Sequence, residues 1–166
     1  NIIMYNHFQY CEDLARRLKA IAHADSDCHY FRATEQTELR EFEDNLSSAH
    51  GMIMIAIDGK DSGFQFRNSD SLMEQPAYII IIAKQASASD SDTVFAAQEE
   101  SKAVMMQVIS RMLNDARVYK HGCDLVDPDS FRIGGFGPIG DLFYGVILWF
   151  SLDEGVNFEI KPEMWL

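Results

Sequence analysis

Cysteine, basic side chains and long apolar runs are all scarce in this chain, and each shortage removes a class of explanation. The 166 residues include three cysteines, Cys11, Cys28 and Cys123. They are too few and too far apart for a disulfide framework, and an odd count leaves one over, so a reducing, cytoplasmic setting is expected. Lysine and arginine together number 14 against 26 acidic residues, a formal charge of −12. That excess repels phosphate backbones and anionic lipid, so neither nucleic acid nor membrane is an expected partner. No stretch approaches the roughly 18 apolar residues of a transmembrane helix. The longest candidates, residues 78–83 and 142–150, are short and rich in β-branched and aromatic side chains. The opening Asn1-Ile2-Ile3-Met4 lacks the basic segment and small-residue cleavage site of a signal peptide.

What is present suits one soluble domain spanning 1–166. Hydrophobic residues make up 47% and charged residues 24%, and a chain of this length buries about 68–70% of its extended surface without metal or disulfide staples. Phe8, Cys11, Leu14, Leu18 and Ile21 recur at helical spacing and define an N-terminal amphipathic helix, with Arg16, Arg17 and Lys19 toward its C-terminal end. Residues 24–27 break the pattern, 28–34 have strand composition, and Leu39, Phe42 and Leu46 predict a short helix over 35–46. Met52–Ile57 is an unbroken apolar strand closed by a turn-rich stretch, 58–63, so Phe64 to Arg67 is expected as the returning arm of a hairpin. Residues 77–83 form the most apolar strand, which implies burial on both faces and a central place in the sheet.

A long helix follows over 94–116, capped by Asp92 or Thr93, with Phe95, Val104, Val108, Met112 and Leu113, and Ala97 and Met105 nearby, in its apolar stripe and a stop near His121-Gly122. The C-terminal part predicts a long strand at 142–152, a turn at Asp153-Glu154-Gly155 and a short strand at 156–160 ended by Pro162. Strands joined by short turns are antiparallel neighbours, and helices with one apolar stripe cover one sheet face. The expected fold is therefore α+β: a mostly antiparallel sheet carrying the N-terminal and long central helices on one side.

Motifs of chemistry are incomplete wherever they occur. Gly135-Phe136-Gly137-Pro138-Ile139-Gly140 fits the spacing of a dinucleotide loop, but a strand follows it where that loop requires a helix, so a glycine-rich turn is the expectation. Gly59-Lys60 lacks the following Ser or Thr of a phosphate loop and has Asp61 instead. His7 with Cys11, Cys28 with His29, and His121 with Cys123 have partial metal-ligand spacing but no full ligand set, so no metal is expected. The acidic groups at 25–27, 90–92 and 127–129 begin like calcium loops but lack the later ligands, and capping or loop solvation explains them. No G-x-S-x-G elbow is present, and Glu99 and Glu100 point to different helix faces. Catalytic residues, cofactor-binding residues, metal ligands and cofactors are accordingly expected to be none.

The remaining features concern surfaces. The strand at 142–152 places large groups on both faces, Phe143 and Trp149 on one, Leu142, Tyr144 and Phe150 on the other. Either this strand or the 156–166 tail docks on another subunit, or the 35–46 helix or the tail folds back to cover it. Residues 141–166 carry five acids and one base, whereas the first helix carries Arg16, Arg17 and Lys19. Acidic and basic edges meeting between copies would give a head-to-tail contact.

The order of elements carried by residues 10–22, 52–58, 77–84, 94–116 and the strand from Tyr144-Gly145-Val146 toward Asp153 resembles that of the tail-terminator and minor-tail (tail completion) proteins of long-tailed bacteriophages. The resemblance implies a structural protein without catalytic residues, assembling into a ring of its own copies at the end of a tail tube and docking on other tail proteins. It would be found in the host cytoplasm or in the virion. Two other readings follow from the residues. One is a small intracellular enzyme or ligand-binding domain with a site near the 117–141 loop, where Tyr119, His121, Asp124 and Arg132 would converge. The other is an accessory protein using its acidity against a basic partner.

Overall fold

The computed structural model describes residues 3–35, 46, 48–68, 71–140 and 142–166. Its elements are α1 (His7–Arg17), β1 (Tyr30–Ala33), β2 (Met52–Ile57), β3 (Ser62–Asn68), β4 (Ser71–Gln85), α2 (Ser91–Arg117), β5 (Arg132–Ile139), β6 (Phe143–Ser151) and β7 (Glu154–Gly155), with short 3₁₀ turns at Cys123–Leu125, Pro128–Ser130 and Pro162–Met164. The fold is α+β, as expected. The main sheet has the order β1-β2-β4-β6-β5, with β3 and β7 added to β4. Among the described strands only β1 and β2 pair in parallel; the other ladders are antiparallel. No helix among the described residues is long and apolar enough to cross a membrane.

Both helices cover the same sheet face. Tyr10, Cys11, Leu14 and Ala15 of α1 and Met105, Val108 and Met112 of α2 join Met54, Ile80, Ile82, Val146, Leu148 and Phe150 in one core. The alternation along β2, β4 and β6 sends Ile53, Ile55, Ile81 and Ile147 to the opposite face, where Leu46 and Ala49 join their cluster. This double coverage explains why Ile80, Ile81 and Ile82 are fully buried in succession. The helix expected over 35–46 lies, apart from its ends, outside the described residues.

Local chemistry sets the helix limits. Asn6 starts α1 by accepting the Gln9 backbone N–H at 3.1 Å, and Leu18 leaves the helical region while its N–H still bonds Leu14. The apolar stripe continues past this end because Ile21 is buried in the loop. Asp90, rather than Asp92 or Thr93, caps α2 and accepts the Asp92 N–H. Thr93 reinforces this start by donating its hydroxyl to the Asp90 carbonyl at 2.7 Å. Phe95 and Leu113, expected in the buried stripe, are exposed, while Ala97 and Met105 are buried as expected and Ser101 joins them on the inward side. Their spacing of four residues follows the sheet more closely than the wide stripe read from hydropathy alone.

Three strand assignments differ from expectation. Residues 58–61 interrupt the chain but do not reverse it: β2 ends at Ile57 opposite Ile79, and β3 resumes at Ser62 opposite Pro76. β3 therefore continues β2 along the same edge of β4, and reversal comes after Asn68. The glycine-rich run at 134–140 belongs mostly to β5, paired with β6 from Arg132 to Ile139. Its side-chain pattern hid a strand because glycine leaves one face nearly bare; a Cβ at Gly134 would lie 3.3 Å from the Trp149 ring. Glu154-Gly155 pairs with Glu74 and Met73 as β7, and Val156–Ile160 is not a strand.

Gly145 is the tightest contact between the central strands. A Cβ there would collide with the Ile82 carbonyl and lie 2.6 Å from the Ala83 Cα, whereas one at Gly155 would meet nothing within 4 Å. Gly145→Ala is expected to destabilise by about 3 kcal/mol, and Gly155→Ala to change stability by less than about 0.5 kcal/mol, both measured by urea denaturation.

Candidate functional site

β4 is longer than the core it crosses. Ala77–Gln85 lies between β2 and β6, while Ser71–Pro76 runs on between β3 and β7. The extension makes a three-stranded arm, β3-β4-β7, beyond the two helices. Every residue of β3 is exposed, and among the described strands it pairs only with β4. Phe64 and Phe66 alternate onto one face and meet Phe158 of the C-terminal segment at 5.6 and 5.9 Å between ring centroids. That segment holds a groove lined by Phe158, Ile160, Lys161, Met164 and Trp165.

The arm surface is apolar without being buried: Phe66 is 67% exposed, Ile160 79% and Trp165 72%. Phe143, Leu148 and Phe150 of β6, by contrast, are buried within the chain. Tyr144 and Trp149 are half-buried and Leu142 is exposed, so the strand is covered over most of its length but not all of it. A second apolar strip lies on the outer side of α2, where Phe95, Met106 and Leu113 remain exposed. Their spacings of eleven and seven residues are close to whole numbers of turns, so the three share one line. The basic edge expected on α1 is largely neutralised within the chain, since Arg16 pairs with Asp25 at 2.6 Å and Arg17 with Asp13 at 3.3 Å.

The histidine and cysteine pairs separate into distinct environments. His7 is buried in α1, donates from Nε2 to the Ile79 carbonyl at 2.9 Å, and accepts the Tyr5 hydroxyl on Nδ1 at 2.7 Å. Both ring nitrogens are therefore committed to joining the N-terminal segment to β4. Burial lowers the His7 pKa to about 4, against a smaller opposing effect of the Ile79 hydrogen bond. Cys11 lies 3.7 Å from the same Nδ1, but burial first of all pushes its thiol well up. Burial likewise raises the Cys123 thiol to about 11. Burial favours the neutral form of both thiols, which pack as core side chains. Beside them the Tyr10 hydroxyl donates to buried Asp115 at 2.7 Å and ties α1 to α2.

His29 stands apart from Cys28, whose thiol turns to the Tyr30 carbonyl. It meets Asp27 and His50 instead, with the donor atoms of all three within 4.8 Å of one another. His50 carries no sequence motif of its own; it is brought there by a turn at Gly51, where φ is 71°.

The remaining candidates serve local structure. Lys60 is bound by Asp58 at 3.1 Å, and Asp127 accepts the Asp129 N–H at the start of a 3₁₀ turn. Tyr119, His121, Asp124 and Arg132 do not converge. His121 packs on Tyr10 of α1 at 5.7 Å, whereas Arg132 lies over Trp149 at 5.7 Å, and Trp149 packs on the opposite side of the sheet. No protein-family model matches the chain, and no curated protein or solved structure matches it either.

The His7 environment has a pH signature. The folded chain disfavours the charged ring, so on acidification the unfolded chain takes up the proton first. His7's contribution is fully present above its ordinary value of 6.5 and is lost as pH falls from there through about 4. The loss attributable to this ring is about 3 kcal/mol. An NMR titration should find the His7 imidazole neutral at pH 5, with unfolding free energies declining over the same interval.

Proposed function

We propose that this protein is a structural assembly subunit that docks on further copies of itself through the β3-β4-β7 arm. The observation that carries the reading is the exposed apolar surface of Phe64, Phe66, Phe158, Ile160, Met164 and Trp165 on an arm whose strand β3, among the described strands, pairs only with β4. Exposed patches of this kind mark interaction surfaces, and an unblocked edge strand is a template for pairing with another chain.

A second copy is the occupant favoured by the other apolar strip. The arm and the Phe95-Met106-Leu113 line are separate surfaces of one chain, so an arm seated on the next copy's helix makes a head-to-tail contact. Repetition of such a contact closes a ring or extends a filament. Charge makes the apolar contribution necessary, because copies carrying −12 each repel at long range. The resemblance of the sequence to tail-terminator and minor-tail proteins supplies the proposed setting, the end of a phage or prophage tail, where other tail proteins would be further partners.

Light scattering combined with electron imaging over a concentration series tests the proposal. Wild-type protein is expected to form discrete rings or short stacks, strengthened by added salt as repulsion is screened. Phe66→Asp with Ile160→Asp should weaken self-association by about tenfold or more without changing the far-UV circular dichroism. A wild-type chain that stays monomeric at every concentration, or a double variant that assembles as well as wild type, overturns it.

A further inference from the structure

We propose that Asp27, His29 and His50 form a zinc(II) site that clips the loop after α1 to the entry of β2. His29 is 6% exposed, so its ring nitrogens need partners within the chain. Its Nδ1 lies 3.0 Å from the Met52 carbonyl, which only accepts, so Nδ1 carries the proton. Its Nε2 lies 3.0 Å from Asp27 Oδ2, another acceptor. A neutral imidazole has one N–H, and this one is already used. The lone pair on Nε2 therefore faces a carboxylate oxygen unless a cation lies between them.

That cation is either a second proton on His29 or a metal ion, and the approach of His50 to the same carboxylate favours the metal. Its Nε2 lies 3.8 Å from the other Asp27 oxygen, Oδ1, and its ring stands edge-on to His29 with centroids 5.2 Å apart. Two protonated rings at this separation repel. Two neutral rings and one carboxylate whose ligand atoms lie within 4.8 Å of one another are a ligand set for zinc or a similar first-row divalent ion. Zinc bonds of about 2.0–2.2 Å place tetrahedral donors roughly 3.3 Å apart, and the observed separations fall on either side of that value. The adjustment falls on His50, whose side chain is 69% exposed and free to turn. A water would take the remaining coordination position.

The support around the cluster is of the kind metal-binding histidines have. The Met52 carbonyl fixes which His29 nitrogen faces the ion. The His29 backbone N–H donates to His23 Nδ1 at 3.0 Å, holding the segment against buried His23. The ion would join residues far apart in sequence, Asp27 and His29 on one side and His50 on the other, across β1 and the segment that follows it.

Titration calorimetry of tag-free, chelator-treated full chain with zinc chloride tests this, alongside cobalt(II) as a spectroscopic substitute. The expected result is one zinc per chain, visible cobalt bands of tetrahedral type, and a zinc-dependent rise in the thermal midpoint. His50→Ala and Asp27→Asn should each weaken binding by about tenfold or more and remove the thermal shift. Cys28→Ser and His121→Ala should leave both unchanged. Absence of zinc binding by wild type overturns the proposal, as does binding that survives both ligand substitutions or follows Cys28 instead. His50 is exposed, so its loss leaves the fold available for the comparison.

Discussion

The structure depends on β4, which is paired along both edges in each half of its length. β4 holds β2 and β6 over its second half and β3 and β7 over its first. In the second half, side chains on both faces are roofed, and Ile80 to Ala83 are fully buried. In the first half the same backbone continues beyond the roof, and neighbouring apolar groups remain in water. Because a β-strand is stiff along its length, the rigid core fixes the direction in which the arm is presented. An interaction surface made this way needs little ordering on binding, which lowers the cost of association.

The buried polar contacts are placed to support that strand. His7 bonds the Ile79 carbonyl where β4 passes under α1, and Tyr10 reaches Asp115 across the helix pair. Each satisfies a group whose burial would otherwise be expensive, so each fixes the helices to one position on the sheet. Surface ion pairs such as Arg17–Asp13 add little by comparison. The acidic balance is then better understood as a solubility device for a chain that leaves Phe66, Ile160 and Trp165 exposed.

Hydrophobic pattern made much of this architecture readable in advance. The run at Met52–Ile57 and the five-residue stripe of α1 report burial directly, and the central place of residues 77–83 follows from apolar side chains on both faces. The pattern failed where one residue's role depends on a distant partner. Phe64 and Phe66 alternate as any strand does, and nothing local reveals whether the preceding turn reverses the chain or only offsets it. Gly135 and Gly137 read as a turn because glycine lacks the side chain by which strands are recognised, yet they lie in β5 beside Gly134, which leaves room for Trp149. The cluster at His29 was invisible for a related reason: His29 had an adjacent cysteine as its apparent partner, while His50 has no local signal at all. Phe95 and Leu113 show the converse error, apolar residues assigned inward that the fold leaves outside.

Residue-resolved hydrogen exchange, followed at low and high protein concentration, tests most directly whether β4 joins a protected core to a free docking edge. The account predicts that amides of Ile80 to Ala83 exchange only through global unfolding at either concentration, while outward-facing amides of β3 exchange quickly in dilute protein and slow markedly as it concentrates. Uniform protection across β3 and β4 in dilute protein, unchanged on concentration, would contradict it.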